Sequence, residues 1–261
     1  QNQYQPEGVG IGVPNGDYFN GTVSRAPNLE WEGTVPLEAL VQKALDLPVK
    51  ITNDANAGAL GEMLYGAAVD MKDFAFITLG TGLGSGIVTK GELLYGHDSF
   101  AGEMGHLIVK ENGRLCACGR YGCLETYVSA NGIRRTAAEL LAHYNMHSEL
   151  AGIPYAELSS KRIYEAALTG DAVALRAFDC TAEILGKALA NLVAILSPEA
   201  IFLFGGLANA GNILLEPVKK YMEDNLLYLY KNKIRVLSSK LPAGHAAVLG
   251  AAALIRKELQ K

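Results

Sequence analysis

The sequence predicts an α/β fold, on three observations. Short β-like apolar runs alternate with helical patterns along the chain. Glycine is abundant, at 29 of 261 residues, and gathers where those runs end; strand ends rich in glycine are typical of nucleotide-binding α/β proteins. Apolar residues make up 49% of the chain, ample for a packed core.

Each element follows from its residues. Val9 to Val13 reads as a strand that stops at Pro14, and Val49 to Thr52 as a second short strand. Asp54 opens a helix through Ala59, Met63 and Leu64, with Gly66 as its stop. Phe74 to Leu79 is the clearest strand and runs into a glycine loop from Gly80 to Gly86. Ile87-Val88 continues in β style, and Gly91-Glu92 makes the next turn. The stretch from Gly96 to Gly122 is loop-rich, with a short strand around Leu107 to Val109. Helices follow at Ala130 to Tyr144, Lys161 to Leu168 and Ala172 to Leu196, the last apolar on most faces and therefore buried. Ala200 to Phe204 is a buried strand ended by Gly205-Gly206. Helices near Leu214 to Tyr230 and Ala246 to Leu259 flank a strand at Ile234 to Leu237.

The length allows one large domain or two modest ones. A soft boundary falls near Ala68 to Asp73, before the strongest strand. Net charge is −4 and no Lys/Arg-rich run occurs, so a nucleic-acid surface has little support. Anionic ligands stay open, because backbone amides and helix ends bind phosphate without side-chain charge. No apolar run is long enough to cross a bilayer, and the polar residues Gln1 to Glu7 do not form a signal peptide.

Between two β-like segments, Gly80, Gly82, Gly84 and Gly86 recur at every second position, with Thr81 adding a hydroxyl. Without Cβ atoms, the backbone can approach a triphosphate and point N–H groups at its oxygens. No Gly-Lys-Ser/Thr follows, so this is not a Walker A loop, and the return strand argues against a dinucleotide-binding fingerprint. A ligand-free glycine turn is the bland alternative. Asp54, in Thr52-Asn53-Asp54-Ala55-Asn56, joins a strand to a helix. Alone it reads as an N-cap. Facing a phosphate loop, it reads as the general base that phosphoryl transfer to an alcohol needs, with Asn53 orienting the acceptor.

Cys116, Cys118 and Cys123 crowd into eight residues, about ten after His106. Three thiolates and an imidazole suit tetrahedral zinc. A disulfide scaffold would be denser and the chain shorter, so a cytoplasmic metal site fits better. Zinc on one nitrogen of His106 would fix the other. Glu103 and Glu125 flank this unit and could read sugar hydroxyls. Cys180 stands alone in a helical pattern and reads as core, and His97, His143, His147 and His245 as surface or loop residues.

These pieces, in this order, resemble the ROK family (repressors, open reading frames, kinases). Glu103-Met104-Gly105-His106 through Cys116-x-Cys118-Gly119-x-x-Gly122-Cys123-Leu124-Glu125 is similar to the family signature. Asn53 to Asn56, Gly80 to Gly86, Gly10 to Pro14, Ala26-Pro27-Asn28-Leu29-x-Trp31 and Phe204 to Ala208 resemble further family segments, so the likeness covers almost the whole chain. The resemblance implies an actin-like ATPase (ribonuclease H-like) fold with two lobes. A partial small lobe would occupy residues 1–68, with helix 246–261 packed on it, and a large lobe residues 69–245. It implies an ATP-dependent sugar kinase acting on a hexose, with glucose leading and its 6-hydroxyl as acceptor. N-acetylglucosamine, N-acetylmannosamine, mannose and fructose stay open. It further implies Asp54 as catalytic base, and Asn53, Asp54, Glu103, His106 and Glu125 around the sugar. Nucleotide would lie on Gly80, Thr81, Gly82 and Gly84, with Gly205 and Gly206 at the adenosine. Structural zinc would sit on His106, Cys116, Cys118 and Cys123, Mg²⁺ would accompany ATP, and the protein would form a cytoplasmic homodimer or homotetramer.

The family's Asp-x-Gly-Gly-Thr hairpin is missing, and the chain starts roughly where a fourth strand would stand. That implies either a fragment, favoured because everything downstream is intact, or a relative that has lost the element; the N-terminal lobe is incomplete, and full activity needs the missing segment. Two other readings compete. A sugar-sensing repressor of the same family would carry an upstream DNA-binding region, and a zinc-stabilised sugar-binding protein would lack turnover. The intact Asp54 and glycine loop favour catalysis. Trp31 reads as a packing residue and Asn28 as a weak sugar contact.

Overall fold

The computed structural model describes residues 5–25, 33–143, 147–242 and 246–261. Their chain contacts divide into two compact units. The first takes Gln1–Phe76, Ser85–Gly102 and Ser239–Lys261; the second takes Ile77–Gly84 and Glu103–Ser238.

In the first unit, β1 (Val9–Gly12) pairs in parallel with β5 (Val49–Thr52), in register from Val9 opposite Val49 to Gly12 opposite Thr52. Parallel neighbours need a crossover, and the intervening chain supplies one. It holds an antiparallel sheet of β2 (Gly16–Asp17), β3 (Thr22–Ser24) and β4 (Thr34–Val35), then α1 (Leu37–Leu45). The sequence reading missed these four elements. Strands of two or three residues carry no period to detect, and α1 buries none of its residues fully and has no side-chain cap.

Helix α2 (Asp54–Tyr65) follows β5, with Asn53 as its N-cap. It packs against α7 (Ala246–Leu259) at a crossing of small residues. A Cβ on Gly250 would overlap the Ala57 carbonyl oxygen, and one on Gly10 would overlap that of Ala251. Gly10 of β1 therefore serves close backbone packing under α7, and Gly12 packs against Ala57 of α2.

A five-stranded sheet has the order β10-β9-β6-β7-β8. Its strands are β6 (Phe74–Leu79), β7 (Leu83–Thr89), β8 (Glu92–Leu93), β9 (Ala200–Phe204) and β10 (Arg235–Ser238), with β9 and β10 parallel. The Phe74, Phe76, Ile77 and Leu79 side chains of β6 are buried. The turn from β7 to β8 is Lys90-Gly91, both at positive φ (52° and 80°), one residue before the expected turn. That pair of left-handed residues matches the twist of a two-residue hairpin.

The second unit adds α3 (Ala130–His143), α4 (Ser160–Leu168), α5 (Ala172–Leu196) and α6 (Asn212–Asn225). Helix α5 is buried along most of its length, as its composition predicts, and is capped by Asp171. Helix α6 ends at Asn225, and a separate 3₁₀ turn covers Tyr228–Tyr230, where one helix was expected to Tyr230. The break comes where Leu226 turns to extended backbone (φ −69°, ψ 144°). The expected strand at Leu107 to Val109 is a single bridge between Ile108 and Cys123. Among the described residues, no helix is long and apolar enough to cross a membrane.

Candidate functional site

The glycine loop is shorter than its sequence implies. Leu83 to Gly86 belong to β7, which leaves Gly80-Thr81-Gly82 as the connection between two neighbouring strands. Within it the Gly80 N–H donates to the Gly82 carbonyl (3.1 Å). The Gly84 N–H donates to Thr78 Oγ1 (3.1 Å), so that amide is already engaged. Gly86 has a packing reason: a Cβ there would sit 2.7 Å from the Ala59 Cβ and 2.8 Å from the Ala55 carbonyl oxygen of α2. Gly80 and the exposed Thr81 remain the open part, and a Cβ on Gly80 would meet nothing within 4 Å.

Gly205 lies beside this turn. Its φ is +106°, and a Cβ would fall 2.7 Å from the Leu79 carbonyl oxygen. Both facts require glycine, since L side chains rarely adopt that backbone. The Leu207 N–H also donates to the Leu79 carbonyl (3.1 Å). The ends of β6 and β9 thus bring Gly205 against Leu79, the residue before Gly80. From the other side, the Ala130 N–H at the start of α3 donates to the Gly80 carbonyl (2.8 Å), and Asn131 Nδ2 donates to that of Thr81 (3.1 Å).

The cysteine segment folds back on itself. The Gly119 N–H donates to the Cys116 carbonyl (3.0 Å), the Cys116 N–H to that of Arg120 (2.9 Å) and the Gly122 N–H to that of Arg114 (2.8 Å). The ligand atoms of His106, Cys116, Cys118 and Cys123 all lie within 4.8 Å of one another. Cys118 Sγ is 3.7 Å from Cys123 Sγ, and Cys116 Sγ is 3.7 Å from His106 Nδ1. A tetrahedral zinc with bonds of about 2.3 Å to sulfur implies sulfur–sulfur separations of about 3.8 Å. The donor set and its spacing therefore fit zinc, with His106 offering Nδ1.

The thiols are already differentiated. Burial and a hydrogen bond to Glu125 push the Cys116 thiol up. Burial also acts to raise Cys118, but hydrogen bonds from Arg120 and from the neighbouring thiols outweigh it and hold Cys118 at about 6.

Glu125 stands at the centre of these pieces, in a 3₁₀ turn (Leu124–Thr126) that leads into α3. Its Oε1 accepts from Cys116 Sγ (2.9 Å) and lies 3.8 Å from His106 Nδ1. Its Oε2 is 2.8 Å from the place a Cβ on Gly82 would occupy. Glu103 precedes the 3₁₀ turn Met104–His106, and its carbonyl accepts the His106 N–H (3.1 Å). The second unit alone therefore brings together Gly80, Thr81, Gly82, Gly205, Glu125 and the four metal donors.

Asn53 and Asp54 belong to the first unit. The capping role read for Asp54 falls to Asn53, whose Oδ1 accepts the Ala55 N–H (2.9 Å). Asp54 is the exposed first residue of α2, and its Oδ1 also reaches that N–H (2.8 Å). Ala26 to Trp31, including Asn28, and His245 lie outside the described residues. Cys180 is half-buried, and His97, His143 and His147 are exposed.

The sequence reading missed Arg114, which binds both the loop and α3. Its adjacency to the cysteine run was the one available signal.

Relatives can be set beside this geometry. A glucokinase of Halalkalibacterium halodurans is 42% identical over 219 residues, covering 83% of this chain and 66% of that protein. A xylose repressor of Caldicellulosiruptor bescii is 34% identical over 253 residues, covering 97% of this chain and 63% of that one. The chain thus spans just under two thirds of the length of these two relatives. A ROK family glucokinase from Streptomyces griseus, solved with glucose and AMPPNP, matches with a TM-score of 0.84 at 35% identity, over 98% of this chain and 83% of that one. The fold is the actin-like ATPase fold of those kinases. A sequence model of the ROK family matches residues 1–258, across both units and the whole cysteine segment, and the chain belongs to the ROK family.

Proposed function

We propose that this chain is the sugar- and nucleotide-binding part of an ATP-dependent hexose kinase, with glucose as substrate and its 6-hydroxyl as acceptor. The observation that carries the reading is the place of Glu125, which touches the cysteine cluster with one oxygen and lies against the phosphate turn with the other. A carboxylate held there can accept hydrogen bonds from a sugar while nucleotide phosphates lie on the neighbouring turn. The glucokinase relative and the glucose–AMPPNP complex support the same substrates.

In this reading the phosphates lie on Gly80, Thr81 and Gly82 and not on the Gly84 N–H, which Thr78 Oγ1 already holds; Gly205 and Gly206 flank the adenosine, and Mg²⁺ accompanies ATP. Asn53, Glu103, His106 and Glu125 hold the sugar. Asp54 takes the proton of the acceptor hydroxyl. The hydroxyl oxygen bonds to the γ-phosphorus, the bond from that phosphorus to the β,γ-bridging oxygen breaks, and ADP leaves. The protein's part is positioning and charge stabilisation. Zinc on His106, Cys116, Cys118 and Cys123 would brace the loop and fix the imidazole angle. The protein works in the cytoplasm, as a homodimer or homotetramer.

A coupled ADP-release assay of the natural full-length protein tests this across glucose, mannose, fructose, N-acetylglucosamine and N-acetylmannosamine. Glucose should give the highest kcat/KM. Asp54→Asn should lower turnover by roughly 10²–10⁴-fold, the range for a lost general base, while sugar binding persists. Turnover that survives the substitution removes Asp54 from this role. The xylose repressor relative favours a second reading, a sugar sensor. Sugar binding without ADP release from any hexose, together with sugar-dependent DNA binding, would establish it.

A further inference from the structure

We propose that Arg114 is a positioning residue that couples the sugar side of the site to the phosphate side; this rests on the hexose-kinase reading. Its side chain is only 8% exposed, and burying a guanidinium is costly unless its donors are satisfied. Here they are. Nε and Nη2 form a fork on Glu139 (2.9 and 2.6 Å), Nη2 also donates to Thr136 Oγ1 (2.9 Å), and Nη1 donates to the carbonyls of Thr126 (2.7 Å) and Gly132 (3.1 Å). The guanidinium also lies 4.5 Å over the Tyr127 ring, whose hydroxyl accepts the Arg114 N–H (2.8 Å).

The two carbonyls are informative. Thr126 follows Glu125, so the bond at its carbonyl fixes the turn from which the Glu125 carboxylate projects. Gly132 lies in the first turn of α3, where Ala130 and Asn131 hold the carbonyls of Gly80 and Thr81. The Arg114 carbonyl also accepts the Gly122 N–H, one residue before the ligand Cys123. A single rigid fork thus sets the distance between the acid and the phosphate turn without touching either substrate. Lysine cannot replace it, because an ammonium lacks the planar set of five donors.

The test uses the natural full-length protein with Arg114→Met, Arg114→Lys and Glu139→Gln. Glu139 is 54% exposed and binds Arg114 from the side away from the two carbonyls. KM for glucose, KM for ATP, kcat, Tm and zinc content are measured for each. Arg114→Met should raise both KM values at least fivefold while keeping the wild-type zinc content. Arg114→Lys should not restore them, and Glu139→Gln should move both in the same direction by a smaller factor. A stabilising role alone would lower Tm and kcat and leave both KM values within twofold, and that result overturns the proposal. So does loss of zinc in parallel with the KM changes, or a wild-type Arg114→Lys. If Arg114→Met fails to fold, Glu139→Gln decides: unchanged KM values overturn the proposal. If the wild-type protein turns over no hexose, the kinase reading fails separately. Arg114 is then judged by calorimetric Kd values for glucose and ADP, and equal affinities in all variants overturn it.

Discussion

Glu125 Oε2 lies 2.8 Å from where a Cβ on Gly82 would be, so the turn and the carboxylate share one boundary. The other oxygen of the same carboxylate accepts from Cys116 Sγ.

Gly82→Ala should therefore displace the Glu125 carboxylate. The expected result is about a tenfold or larger loss of kcat/KM for the sugar, or about 1.4 kcal/mol of transition-state stabilisation. Thermal stability should change little, because the group that must move is the end of a side chain. Steady-state kinetics beside a melting curve checks both parts, and an unchanged sugar kcat/KM would count against Glu125 as a sugar contact.

Two adjacent glycines should behave differently. Gly205→Ala puts a side chain on a backbone at φ +106° and 2.7 Å from a carbonyl oxygen, neither of which can yield cheaply. Strain and overpacking together should cost about 2–4 kcal/mol. At Gly206 a Cβ would meet nothing within 4 Å. Gly206→Ala should melt within about a degree of wild type, so any loss of ATP affinity there reports on the ligand. Denaturant titration of the pair provides the comparison.

Metal removal offers a third measurement. A strong chelator should extract one zinc per chain, lower Tm and abolish turnover, and added zinc should restore both, because the metal closes a loop of otherwise separate thiols. Cys118→Ser should weaken zinc retention even though Cys118 is exposed and contributes little to packing. Metal analysis by mass spectrometry decides this, and full activity in metal-free protein would refute a structural role.

Asp171 gives a pH-dependent prediction. Burial acts to raise its carboxyl, but hydrogen bonds from the Ala174 and Glu149 N–H groups and from Ser148 outweigh it and hold it below the ordinary 3.8. A depressed carboxyl contributes stability that is fully present above its unfolded value and is lost as pH falls through the folded one. Asp171→Ala removes the cap of α5 and should cost about 1 kcal/mol at neutral pH. The gap between wild type and variant should shrink as pH falls below 3.8. A gap that stays constant would remove the charged carboxylate from the explanation.

The fold was legible where a segment decides its own structure. The β6 and β9 strands and α5 are long apolar runs, and the burial they need leaves little choice of partner. The cysteine cluster was legible for the same reason, since its three thiols are close in sequence and only His106 must be brought in. The short strands β2 to β4 were not legible, because their pairing is set by the chain around them. Glycine spacing misled at Gly86, where alternation reads as a phosphate loop while the actual constraint is the approach of α2. Arg114 was hidden because its partners stand 12 to 25 residues downstream and meet it only in the folded unit.

The packing of α7 on β1 and α2 has a further consequence, for synthesis on the ribosome. Most of the second unit is one continuous stretch, Glu103–Ser238, and can acquire its core while translation proceeds. The first unit must wait, because Gly250 and Ala251 close against the backbone of Ala57 and of Gly10, both made far earlier in the chain. A nascent chain that stalls before α7 would display β1 and one face of α2 uncovered, ready for a chaperone.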